Sequence, residues 1–309
     1  GKERAALREL ARVKVQTAHQ LAAAGQWSDA VAEVDGTWTM AQRFAGSGGA
    51  LVDWLMARAF GAIATGHARL LLGRPPAGLD LARQAPTERW PMAPLPAAAH
   101  DALAAFGQRL ADESQVLLGV QRALSAEMAY LDRRLLSADA ADPSAADSER
   151  AALADWWRRA LALGSAIAAQ SPSQRDWRPL DRMRRPAVSR PLKQVAAGVA
   201  SMIHSAANQA ERAKVDQRMT RIAIALRFYL DDHGRLPNTL GELVSPRYLT
   251  ELPTDPDTGG AIVYQPGKGR LYCGGADRRD GGGDRQTDYV VELPFITGRL
   301  LPAAKPSTR

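Results

Sequence analysis

Apolar positions recur at spacings of three and four from the start of the chain. Leu7, Leu10, Val13, Thr17 and Leu21 predict an amphipathic helix over 2–24, closed by Gly25 where a left-handed cap favours glycine. Ser28 and Asp29 can cap a second helix whose inner face is Ala30, Val31, Val34 and Trp38, so the chain opens as a helical hairpin. Gly46 to Gly49 interrupt the pattern, and a third helix over about 50–72 carries Leu51, Leu55, Ala59, Ile63 and Leu70. Six prolines within 73–96 exclude regular structure there beyond one short turn near 79–83. Helical periodicity returns over 97–136, with a break near 112–114 or at Gly119. It returns again over 148–170 through Leu153, Trp156, Trp157, Ala160, Leu163 and Ile167.

A last helical run starts at Pro191, a residue suited to the first helical position, and continues to His233, where Gly234 ends it. Val215, Met219, Ile222, Leu226, Tyr229 and Leu230 make one apolar stripe along it. Beyond Gly234 the period drops to two. Turn residues separate alternating runs at 261–265, 270–273 and 288–293, which predict three short antiparallel strands. So small a sheet is marginal alone, and the stripe of the preceding helix is its expected cover. The expected fold class is α+β: a mostly helical N-terminal region followed by a long helix packed on a small antiparallel sheet. The expected division is a helical domain over 1–188 and a second unit over 189–309.

Composition narrows the picture. With 309 residues, 46% apolar and 24% charged, the chain is neither fibrous nor disordered. A single cysteine, Cys273, excludes an intrachain disulfide and a cysteine-based zinc cluster. No apolar run is long enough to cross a bilayer as a helix. Of the net +7, a share of +5 lies in 175–193, where Pro179, Pro186 and Pro191 make the segment an extended basic linker. Only Trp177 is there to stack on bases, so nucleic acid is not the expected partner. Two readings of the linker stay open: a solvated connection, or contact with anionic lipid headgroups through Arg175, Arg178, Arg182, Arg184 and Arg185. The sequence opens on Gly1 directly into a helix, which leads us to expect a native segment upstream.

The second half carries a resemblance. A helix, a glycine and Arg235-Leu236-Pro237 are followed by Leu240, Leu243, Val244, Tyr248, Leu249, Leu252, Pro253, Asp255 and Pro256. A Gly-Gly turn, Tyr264 and the run from Cys273-Gly-Gly through Asp277 to Asp284 complete the order. This order over 212–293 resembles the C-terminal heads of type II secretion major pseudopilins. The whole layout is similar to membrane-anchored bacterial envelope proteins that end in a pseudopilin-like unit. That resemblance implies a periplasmic or cell-envelope location, a single N-terminal anchor ahead of residue 1, protein partners in the envelope, and no chemistry. It also implies calcium in the loop before the last strand, where Asp277, Asp280, Asp284 and Asp288 would be the metal ligands. Gly281, Gly282 and Gly283 could aim carbonyls at such an ion. The alternative is a turn in which Arg278, Arg279 and Arg285 neutralise the aspartates.

Enzymatic motifs are missing: there is no nucleophile elbow, phosphate loop, dinucleotide fingerprint or metalloprotease helix. His19, His67, His100, His204 and His233 are scattered, with His233 placed to complement a helix dipole. Asp231 and Asp232 are adjacent and so do not face each other as a catalytic carboxylate pair. Cys273 reads as a buried strand residue rather than a nucleophile. The expectation is a non-catalytic envelope scaffold or interaction protein, tied to a secretion or pilus-like system. The alternative is an exported enzyme with its site between the N-terminal helices near 73–96. A pocket of convergent titratable groups is what that alternative requires.

Overall fold

The computed structural model describes residues 2–46, 51–73, 94–136, 147–170, 174–183, 186–187, 199–275 and 277–297. Ser47, the turn expected at 79–83, Arg184, Arg185, Arg190 and Lys193 lie outside the described residues. Six helices come first: α1 (Lys2–Ala23), α2 (Trp27–Gly46), α3 (Leu51–Leu72), α4 (Ala97–Arg109), α5 (Ser114–Leu136) and α6 (Asp147–Ala168). A single turn, α7 (Arg178–Asp181), precedes the 35-residue α8 (Val199–His233). Strands β1 (Val263–Gln265), β2 (Arg270–Cys273) and β3 (Tyr289–Glu292) form one antiparallel sheet in that order, and a turn, α9 (Pro294–Thr297), follows. The fold is α+β, with the long helix lying against the small sheet.

The helix ends follow from local chemistry. Gly25, at φ +80°, lets Gln26 N donate to Leu21 O and Gly25 N to Ala22 O, which satisfies two orphan carbonyls of α1. Gly234 ends α8 in the same left-handed region, its N donating to Leu230 O. Asp112 Oδ1 accepts from Ser114 N and fixes the break between α4 and α5.

One core cluster joins both ends of the chain. Val31, Val34 and Trp38 of α2, Leu71 and Leu72 of α3, and Leu103 and Phe106 of α4 meet α8, and α8 meets Leu271, Val291, Leu293 and Phe295. The expected stripe does cover the sheet: Val215, Met219, Ile222, Leu226 and Tyr229 are all buried there. Helical residues also stand on the other side of α8, so every residue from Ile222 to Tyr229 is buried. A second cluster packs Trp54, Leu124, Leu153, Trp156, Trp157 and Ile203.

The inner faces of α1 and α3 differ from the expected ones. Leu10 and Val13 are exposed, and α1 is buried instead through Ala11, Val15, Ala18 and Ala22. On α3, Leu55 and Ala59 face outward while Trp54, Met56, Phe60 and Ala64 are buried. Small side chains let α1 approach its neighbours closely, and close packing outweighs the larger transfer energy of an isolated leucine.

Candidate functional site

A cleft of about 1020 Å³ lies between α3, α8 and β3. Residues one turn apart on each helix line it: Ile63, Gly66, His67 and Leu70 from α3, and Arg212, Val215, Asp216 and Met219 from α8. The third wall is β3, Tyr289 to Glu292, with Arg285 to Asp288 at the rim. Arg69 of α3 also lines it, half-buried, donating to Thr220 Oγ1 at 2.6 Å with Asp216 Oδ1 at 4.0 Å. Burial pulls the Arg69 guanidinium below its usual pKa, and Asp216 opposes the shift. His67 Nδ1 lies 2.9 Å from His19 Nε2, so the two rings share one proton between them. Burial first, then the charges of His19 and Arg69, bring His67 down to about 4, and it is neutral at pH 7. Arg212 sits 5.8 Å over the Tyr289 ring and forms no ion pair among the described residues.

A second pocket of about 510 Å³ borders the proline-rich segment, where Pro94, Leu95, His100, Phe228, Asp231, Asp232 and Arg247 meet. His100 Nε2 lies 3.1 Å from Asp231 Oδ2 and its ring stacks on Phe228 at 4.2 Å between centroids. Asp231 also accepts from Arg227 Nε and from Leu95 N, so one carboxylate ties α8 to the segment leading into α4. Asp232 turns the other way, to Arg247 and Tyr248. The adjacent aspartates indeed do not face each other.

The four aspartates expected to bind calcium each close a turn. Asp277 Oδ1 accepts from Arg279 N, Asp280 Oδ1 from Gly282 N, and Asp284 Oδ1 from Gln286 N. Asp288 is buried, with one oxygen on Gly281 N and the other on Gly283 N. The carbonyls of Gly282 and Gly283, which the calcium reading aims at an ion, accept from the guanidinium of Arg270 at 2.8 and 2.9 Å. Among the described residues no three acidic, histidine or cysteine side chains converge as a metal cage. In this arrangement both Asp288 oxygens and the Gly282 and Gly283 carbonyls already accept hydrogen bonds, while the bonds of Asp277, Asp280 and Asp284 each use Oδ1. Arg270 was not singled out from sequence, because its partners are carbonyls of residues twelve and thirteen positions later. Arg285, by contrast, pairs with Glu292 rather than with an aspartate.

Other expected groups are accounted for. Arg175, in the proposed membrane-facing set, points inward to Glu211 Oε1 at 2.7 Å and to Ala168 O, which removes it from any lipid surface. Arg178 pairs with Asp176 in solvent, and Arg182 is exposed. Cys273 is buried, and its thiol is pushed far up by burial and by the nearby Asp255 and Asp257 charges, so it is no nucleophile at neutral pH. His233 stacks on Tyr229 at the end of α8. Trp156 and Trp157 are both buried in the second cluster. No helix of the described chain is long and apolar enough to cross a membrane. No family model, curated protein or solved structure matches this chain.

Proposed function

We propose that this chain is a non-catalytic interaction protein of the cell envelope, tied to a secretion or pilus-like system, whose helical body carries a pseudopilin-like C-terminal unit. In this reading the cleft beside β3 receives a protein partner. The observation that carries it is how the charges around that cleft are used. Arg69 and Asp216 face each other, Arg285 holds Glu292, and both oxygens of Asp288 hold glycine amides. No nucleophile, base and oxyanion donor converge among the described lining residues, as a catalytic centre would need. What remains is a long groove with half-buried Ile63, Leu70 and Val290, the kind of surface that binds by shape. Export, anchoring and the secretion link rest on the resemblance in sequence alone.

The test places a photo-crosslinking amino acid at Gln286, on the rim, in cells that make the full-length protein. The expected result is one discrete adduct with an envelope protein, recovered from the membrane or periplasmic fraction. A protein found in the cytosol without a discrete adduct overturns the reading.

The His100 and Asp231 pair favours a second reading, an exported hydrolase working at the pocket near 73–96. A histidine oriented by a carboxylate can serve as a general base toward water. Against it, no serine, threonine or cysteine is among the described residues lining that pocket. Hydrolysis of a panel of chromogenic esters and phosphoesters that disappears in His100→Ala and Asp231→Asn would replace the first reading with this one.

A further inference from the structure

The interaction reading names a cleft, and the wall formed by β3 carries the recognition a step further. In the pairing of β2 with β3, Leu271 faces Val291 and Tyr272 faces Val290. Leu293 N donates to Gly269 O at 2.8 Å, and this bond sets the phase of the ladder. In an antiparallel pair, hydrogen-bonded and non-hydrogen-bonded positions alternate, so residues 289 and 291 bond to β2 while 290 and 292 turn their N–H and C=O outward. The sheet order is β1-β2-β3, so this outward side is a sheet edge. It opens into the cleft, whose other lining residues come from α3 and α8. Backbone groups in such a row are complementary to one thing above all, another extended backbone. The two helices add side-chain selectivity. Ile63 and Leu70 are apolar and half-buried, and Arg212 stands as a cation without an acidic partner among the described residues.

We infer that the cleft takes an extended segment of a partner protein as a fourth strand on β3, with an acidic side chain set toward Arg212 and alternate apolar side chains toward Ile63 and Leu70. The inference rests on the interaction reading above. Such a strand would gain main-chain hydrogen bonds to Val290 and Glu292 and would span the four residues of β3, roughly 13 Å at about 3.4 Å per residue.

The test uses the whole chain and two synthetic probes, Ac-Glu-Thr-Val-Thr-Val-Thr-NH2 and the same peptide with lysine in place of glutamate. Binding is read by fluorescence polarisation, and amide exchange is followed at each residue. The glutamate peptide is expected to bind and to slow exchange at the amides of Val290 and Glu292. Val290→Pro removes an outward N–H that the ladder does not use, so it should keep the melting curve and weaken binding about tenfold. Arg212→Glu should reverse the preference to the lysine peptide. Binding without protection at 290 and 292, or binding indifferent to Val290→Pro in a folded variant, overturns strand addition. Protection of those amides without peptide, accompanied by a dimer in sedimentation, assigns the edge to a second copy and also overturns it. Failure of either peptide to bind overturns the inference. The crosslinking experiment at Gln286 reports on the interaction reading independently of all of these.

Discussion

At the residue scale, the glycines around β2 show how a turn signal in the sequence differs from the constraint behind it. A Cβ on Gly275 would lie 1.8 Å from Thr287 O, a backbone atom that cannot swing away, whereas a Cβ on Gly267 would meet nothing within 4 Å. Gly275→Ala is therefore expected to lower the urea-unfolding free energy by about 1 to 3 kcal/mol, and Gly267→Ala to leave it nearly unchanged. Equal effects would mean that the loop before β3 can move aside. The Cys273-Gly-Gly run was legible as a motif, but the reason for Gly275 was not, since Thr287 reaches it only through the fold. Asp257 supplies the pH-dependent case. Burial, then the charges of Glu211 and Asp255, lift its carboxyl to about 6, against the pull of Arg278 and Arg175. A folded-state pKa above the unfolded 3.8 means that the folded protein loses stability as pH rises from about 4 through 6. Asp257→Asn should thus stabilise by about 1 kcal/mol at pH 7.5, after allowing for solvent screening, with the gain shrinking through pH 6 and absent below pH 4. Melting temperatures of the two proteins across that range are the measurement, and a constant offset would show that ionisation is not the cause.

At the element scale, α8 is the helix on which the rest is assembled, and its role was half visible. The apolar stripe read from Val215 to Leu230 is the face under the sheet. The opposite face carries Gln217, Thr220 and Arg227, which look like solvent positions in a sequence. All three are buried. Thr220 Oγ1 donates to Asp216 O and accepts from Arg69, and Arg227 reaches Leu72 O and Asp231, so these two find partners on α3 and on α8 itself, whereas Gln217 Oε1 is buried without a hydrogen bond among the described residues. Periodicity sees residue type and not partners, which is why a helix buried on all sides from Ile222 to Tyr229 read as amphipathic. The same blindness placed Leu10 and Leu55 inward. The contact between α6 and α8 offers a direct check. A Cβ on Gly164 would come within 2.6 Å of Ile203 Cγ2, so Gly164→Ala should cost about 1 to 3 kcal/mol. Ile203→Ala removes both Cγ2 and Cδ1, which would stand 2.6 and 2.8 Å from that Cβ. In the double variant the two losses should sum to less than their separate values, by an interaction energy of about 0.5 kcal/mol or more. Strict additivity would mean that the two helices are not in the close register described.

At the scale of the whole molecule, the question is whether the helical body and the C-terminal unit unfold together. The cluster that includes Trp38, Leu72 and Phe106 also includes Leu226, Leu271, Leu293 and Phe295, so neither end completes its core without the other. The end of α3 meets the C-terminal turn so closely that a Cβ on Gly73 would fall 2.4 Å from Pro294 Cβ. A shared core of this kind predicts one cooperative transition. The chain supplies its own probes, because all seven tryptophans precede residue 178 while Tyr229, Tyr248, Tyr264, Tyr272 and Tyr289 belong to the later part. Tryptophan fluorescence and amide exchange at β2 should give coincident urea midpoints. Leu226→Asp, which puts a charge at a fully buried position, should abolish both signals and not only that of the sheet. Gly73→Ala should move both midpoints down together. Two separated midpoints, or a Leu226→Asp protein that keeps native tryptophan emission, would mean that the body stands alone and that the contact with the C-terminal unit is a docked interface rather than a common core.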